Sequence, residues 1–112
     1  MKVHFLGDER VYHAIHSLFK HNNLNIELSF QQQCCCGEEK VAVTMVDSRW
    51  FKDFLQTPCS KSSNYVIVIG AYTDSLTKQA FEANHQYRYI AYSELESKLL
   101  NVINEVLLTI TD

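Results

Sequence analysis

Glycine occurs only three times and proline once in 112 residues. No Gly/Ser linker divides the chain, and no glycine-rich loop follows the first apolar segment to cradle a phosphate. Long hydrophobic runs are missing too. Stretches such as Tyr65 to Ile69 are far too short to cross a bilayer, and Met1-Lys2-Val3-His4 does not open a signal peptide. There is no basic run: ten Lys+Arg face thirteen Asp+Glu, for a net charge of −3. The electrostatic footprint of a domain that grips nucleic acid directly is therefore absent. A soluble, cytoplasmic domain that touches neither membrane nor nucleic acid is the expectation.

What is present suits one globular domain over residues 1–112. Hydrophobic residues make up 46%, enough for one core without disulfide or metal staples. Charged residues at 21% and aromatics at 12% argue against disorder. Cys34, Cys35, Cys36 and Cys59 show no CxxC spacing, so they read as reduced thiols rather than as a zinc site or a redox motif. A metal or redox role for the three consecutive cysteines stays open as an alternative.

Hydrophobic periodicity orders the chain as alternating strands and helices. Lys2 to Leu6 reads as a short buried strand ending at Gly7-Asp8. Asp8 can cap a helix whose Val11, Ala14, Ile15, Leu18 and Phe19 recur at helical spacing until His21-Asn22-Asn23. Asn25 to Phe30 reads as a strand near an edge, and Gln31 to Lys40 as a short helix or loop. Val41 to Val46, closed by Asp47, has the continuous apolar character of a central parallel strand.

Trp50, Phe51, Phe54 and Leu55 predict a helix that Thr57-Pro58 ends. Tyr65 to Ile69 is the strongest strand, stopping at Gly70. Asp74 can cap a helix carrying Leu76, Ala80, Phe81 and Ala83, and Arg88 to Tyr92 is a fifth strand. Ser93 and Glu96 suggest a capping box. Behind it Leu95, Leu99, Val102, Ile103, Val106 and Leu107 draw an apolar stripe on a last helix.

This alternation predicts an α/β fold, a flavodoxin-like five-stranded parallel sheet of order 2-1-3-4-5 with helices on both faces. Ligands bind such sheets at the carboxyl ends of the strands, here Gly7, Asp8, Asp47, Gly70 and Tyr92. Asp8 and Asp47 end neighbouring strands. Together with Arg49 they form a candidate Mg²⁺ site, with a backbone carbonyl and waters to complete the shell. Taken singly, Asp8 is equally a helix cap and Asp47 a loop residue. His13 and His16 lie one helical turn apart but lack a third ligand, and His4 reads as structural.

Several of these segments resemble the receiver domains of response regulators in two-component phosphorelay signalling. Phe5-Leu6-Gly7-Asp8-Glu9 is similar to their acidic loop. Val43-Thr44-Met45-Val46-Asp47-Ser48-Arg49 resembles the strand whose final Asp accepts a phosphoryl group. Val66-Ile67-Val68-Ile69-Gly70-Ala71-Tyr72 and Tyr89-Ile90-Ala91-Tyr92-Ser93 resemble the fourth and fifth strands. The resemblance spans the chain and is firmest from Tyr65 to Leu107.

It implies that Asp47 is the phosphoacceptor position and that Tyr89 stands at the family's aromatic switch. It also implies an N-terminal regulatory domain of a larger transcription regulator, joined to a DNA-binding or ATPase effector, although a stand-alone adaptor has the same length. Three departures matter. Gly7 replaces an acidic residue, Gly70 replaces the Thr/Ser hydroxyl, and Tyr92 replaces the lysine. Loss of the cationic Lys and of the hydroxyl argues against efficient phosphorylation-driven switching. The expectation is a degenerate receiver, not an enzyme, acting through protein contacts or homodimerisation. Lys78, Glu82, Arg88, Tyr89, Glu94 and Lys98 would form its dimer face. A metal- or nucleotide-sensing domain using the strand-end rim, and a small flavodoxin-fold thiol protein, are the alternatives.

Overall fold

The computed structural model describes residues 2–24, 26–31, 43–56, 65–71, 75–83 and 86–111. The expectations placed on Cys34, Cys35, Cys36, Cys59 and Asp74, and on the polar stretch after Gln31, lie outside the described residues. Five strands are present: β1 (Lys2–Leu6), β2 (Glu27–Gln31), β3 (Val43–Asp47), β4 (Tyr65–Gly70) and β5 (Tyr87–Ala91). All pair in parallel, in the order β2-β1-β3-β4-β5. The doubly covered 2-1-3-4-5 sheet expected from the hydrophobic pattern is the fold.

Among the described residues four helices cover the sheet: α1 (Glu9–His21), α2 (Phe51–Leu55), α3 (Ser75–Glu82) and α4 (Leu95–Thr111). Strand side chains alternate between faces, so each strand divides its apolar residues between two cores. Val3, Phe5, Val43, Met45, Ile67, Ile69 and Ile90 meet Ile15 and Phe19 of α1 and Leu99, Ile103 and Val106 of α4. On the other face Leu6, Val46, Val66, Val68 and Tyr89 surround Phe54 of α2, with Phe51 and Phe81 packed alongside. Near-continuous apolar runs in β3 and β4 are the consequence of burial on both sides.

Local signals set the ends of α1. Asp8 is its N-cap, accepting the Arg10 backbone N–H at 2.8 Å. At the other end the Asn22 side-chain amide donates to the Leu18 carbonyl at 2.8 Å, and Asn23 takes a left-handed φ of 55°.

Three expectations are corrected. The fifth strand runs Tyr87–Ala91, so Tyr92 leaves the ladder and opens a 3-10 turn over Tyr92–Glu94. That turn runs directly into α4 with Ala91 at its N-cap, so Ser93 does not start the helix and the Ser93–Glu96 box is not used. The predicted apolar face of α3 is mostly in solvent: Leu76 is 76% exposed, Ala80 and Ala83 are exposed, and only Phe81 packs inward. The helix lies against the outermost strand β5, where the Tyr89 ring stacks on Phe81 at 5.2 Å.

Phe54 is fully buried whereas its neighbour Leu55 is 49% exposed. Phe54→Ala should therefore cost about 3–5 kcal/mol in urea denaturation, with Leu55→Ala below about 1 kcal/mol.

Candidate functional site

Register brings the acidic residues together. Leu6 of β1 lies opposite Val46 of β3, so the next residues, Gly7 and Asp47, adjoin at the carboxyl rim. An ideal Cβ on Gly7 would come 2.5 Å from the Asp47 Cβ, and only glycine permits that approach. The acidic side chain that the receiver pattern has at this position does not fit beside Asp47 as it stands. Asp8, one residue further, caps α1 and points back over the rim.

Asp47 is fully buried. Its Oδ1 accepts the Arg49 backbone N–H at 3.1 Å, the Arg49 Nε at 3.5 Å and the Tyr92 hydroxyl. Its Oδ2 accepts Arg49 Nη2 at 3.2 Å, and the same nitrogen reaches Asp8 Oδ2 at 3.2 Å. One guanidinium thus bridges both carboxylates. Arg10 folds onto Asp8 from the other side, its Nε at 3.4 Å from Oδ1. Two carboxylates and two guanidiniums balance to zero, and the Arg49 guanidinium also lies 5.1 Å above the Trp50 ring.

Strand parity explains the second donor. Asp47 shares a face with Val43 and Met45, and Tyr92 follows Ile90 on that same face. The Tyr92 phenol therefore meets the carboxylate, as a neutral donor without charge. Burial, then the bond to Asp47, pushes the Tyr92 hydroxyl up to about 12, so it remains a donor throughout the physiological range. The Arg10 backbone N–H, followed by the Arg10 side chain, holds Asp8 below the usual carboxylate value. Hydrogen bonding to Asp47 raises the Arg49 guanidinium still further above neutrality.

Gly70 and Tyr89 meet on the opposite face. A Cβ on Gly70 would fall 2.5 Å from the Tyr89 hydroxyl and 3.0 Å from Ser48 Oγ. Tyr89 is 6% exposed and turned inward, filling the space that a side chain at position 70 would need. The missing hydroxyl at position 70 and the inward tyrosine are thus one packing arrangement.

The described residues contain no group of three His, Cys, Asp or Glu side chains placed to hold a metal. His13 and His16 are exposed; His13 Nε2 lies 3.4 Å from Glu9, and His16 rests against Tyr12. At the acid pair, the position a cation would take between the carboxylates is filled by Arg49. Its side chain acts there as a counter-ion, since a guanidinium has no lone pair to give a metal. On the expected dimer face Arg88 pairs with Glu105 at 3.3 Å and Lys98 with Glu94, while Lys78 is exposed and Glu82 half-buried.

Beside the cluster a cleft of about 360 Å³ opens between α1 and the start of α4, lined by Asp8, Arg10, Val11, Ala14, Arg49, Tyr92 and Leu95. Residue-by-residue reading overlooked Arg10 and the counter-ion role of Arg49. The signal was an Asp-x-Arg spacing repeated at both strand ends, Asp8-Glu9-Arg10 and Asp47-Ser48-Arg49. In each, the aspartate accepts the N–H two residues on, which swings the arginine stem round to its own carboxylate. Comparison with protein-family models, curated proteins and solved structures finds no match to this chain. No helix among the described residues is long and apolar enough to cross a membrane.

Two measurements check this geometry. Gly70→Ala should destabilise by about 1–3 kcal/mol through overpacking. In the Tyr89→Phe background, where the clashing hydroxyl is gone, the loss should be smaller by at least about 0.5 kcal/mol. Because the folded Asp8 titrates below its ordinary 3.8, its contribution is complete above that value and lost as pH falls through the lower one. The stability gap between wild type and Asp8→Asn should stay level from about pH 5 to 7 and close on further acidification.

Proposed function

We propose that this chain is a receiver-like signalling module that regulates transcription through protein contacts, and not by efficient phosphorylation of Asp47. The observation that carries the reading is the occupancy of the acid pair. Arg49 bridges Asp8 and Asp47 while Tyr92 holds the remaining oxygen. Phosphoryl transfer depends on a free nucleophilic oxygen, a positioned cation and donors aimed at the transferring group. Here the cation belongs to the chain, and the donors are spent on the aspartate itself.

The packing supports the same reading. A receiver couples modification to its surface through a hydroxyl near the acceptor and a mobile aromatic. With Gly70 and an inward Tyr89 that route lacks both the hydroxyl and the space for it. Output then depends on a standing surface, through a homodimer or an appended effector domain. The face formed by α3, β5 and α4 suits a polar two-fold contact, although Arg88 and Lys98 already have acidic partners in the chain.

The small-ligand alternative is favoured by one observation, the cleft of about 360 Å³ against Arg10, Arg49 and Tyr92. It has an apolar wall and polar groups at one end, so the bound molecule would be small and amphiphilic. Thermal shift with nucleotides, Mg²⁺ and Mn²⁺ tests it, and no shift at millimolar concentrations disposes of it.

For the leading reading, acetyl phosphate or beryllofluoride with Mg²⁺ should leave the amide spectrum and sedimentation unchanged. A conformational or oligomeric response that disappears in Asp47→Asn would overturn it.

A further inference from the structure

We propose that the Arg49 guanidinium is a latch on one oxygen of Asp47, deciding when that carboxylate can be reached from solvent. The idea rests on the receiver-like reading of Asp47 as a guarded acceptor and adds how the guard is built.

The two oxygens of Asp47 are held differently. Oδ1 takes the Arg49 backbone N–H and the Tyr92 hydroxyl, and both bonds persist if the Arg49 side chain moves. Oδ2 is met, among the described residues, by Arg49 Nη2 alone. A swing of one side chain therefore uncovers one oxygen and leaves the aspartate anchored by the other.

Arg49 is built to move. Its side chain is 58% exposed while that of Asp47 is 0% exposed. The Nη2 atom is shared at 3.2 Å between Asp8 and Asp47, and Nε reaches Asp47 only at 3.5 Å. Nε on Oδ1 and Nη2 on Oδ2 make a side-on fork, but at 3.5 and 3.2 Å both bonds are longer than charge-assisted bonds usually are. The Arg49 guanidinium stands largely in solvent, where added salt screens its hold on Asp8 and on the buried Asp47. Space for the swing exists on one side, where the cleft against Val11, Ala14 and Leu95 adjoins Arg49, and the Trp50 ring lies under the guanidinium in the closed position. An anionic group offered from outside would compete with the aspartates for the guanidinium and open the latch.

Carboxylate labelling with a water-soluble carbodiimide and glycinamide tests this. The Asp47 oxygen adds to the carbodiimide carbon as nitrogen takes a proton. Glycinamide nitrogen then forms an amide at the aspartyl carbonyl, and the urea leaves with the oxygen. Peptide mass spectrometry compares Asp47 with exposed Asp53. In wild type at low salt Asp47 should label at least about tenfold more slowly, and Arg49→Gln should remove most of that gap. In wild type the Asp47 rate relative to Asp53 should also rise severalfold in about 1 M NaCl, where the Debye length falls to about 3 Å.

Thermal melting first establishes that the variant is folded, and if it is not, the salt series on wild type decides alone. A ratio unchanged by the substitution and by salt overturns the latch, because burial in the sheet would then be what protects Asp47. No phosphoryl donor takes part, so that failure leaves the receiver-like reading standing, and a phosphorylation response would not disturb the labelling outcome.

Discussion

A carboxylate with no solvent exposure has to find its compensation inside the protein, and Asp47 organises the rim of this sheet for that reason. It sits at the end of a central strand flanked by β1 and β4, where water cannot reach it. Among the described residues three groups donate to it: a backbone N–H from the next turn, a phenol from beyond β5, and a guanidinium from its own loop. Asp8 shares that guanidinium and so ties the β1 end to the β3 end. The result is a neutral cluster closed upon itself, in the place where a doubly wound sheet usually leaves room for a ligand.

The two glycines at the rim follow from the same crowding. Gly7 has no side chain because the Asp47 Cβ and the Phe5 ring occupy its space, and Gly70 has none because Tyr89 turns inward beneath it. Each glycine is thereby matched by a neighbour that fills its space. Tyr92 belongs to this set: its phenol supplies a donor to Asp47 without adding a further positive charge to a balanced cluster.

Much of the fold was legible because two periodicities carry it. The continuous apolar runs of β3 and β4 mark strands buried on both faces, and the spacing of Ile15, Phe19, Leu99 and Ile103 marks helices that cover one of them. Asp8 as a cap and the Asn22-Asn23 stop were readable as local hydrogen-bond chemistry. Element ends were less so. Whether Tyr92 closes a strand or opens a turn depends on where β5 stops pairing with β4, and Leu76 looks like a core residue until α3 is seen to lie at the outermost strand.

The candidate site divides in the same way. Sequence alone determined the parallel 2-1-3-4-5 sheet and the convergence of Asp8 and Asp47 at one rim, since hydrophobic pattern and chain alternation act through near neighbours and a single handedness rule. It also placed Gly7, Gly70 and Tyr92 at that rim. Only the tertiary structure decided that Arg49 fills the space between the acids and that Tyr92 reaches Asp47 across 45 positions of chain. The Arg49–Asp8 and Tyr92–Asp47 contacts join residues far apart in the chain, with no local spacing to signal them. They exist because strand register and side-chain parity, set by the packing of the entire sheet, aim them at one point.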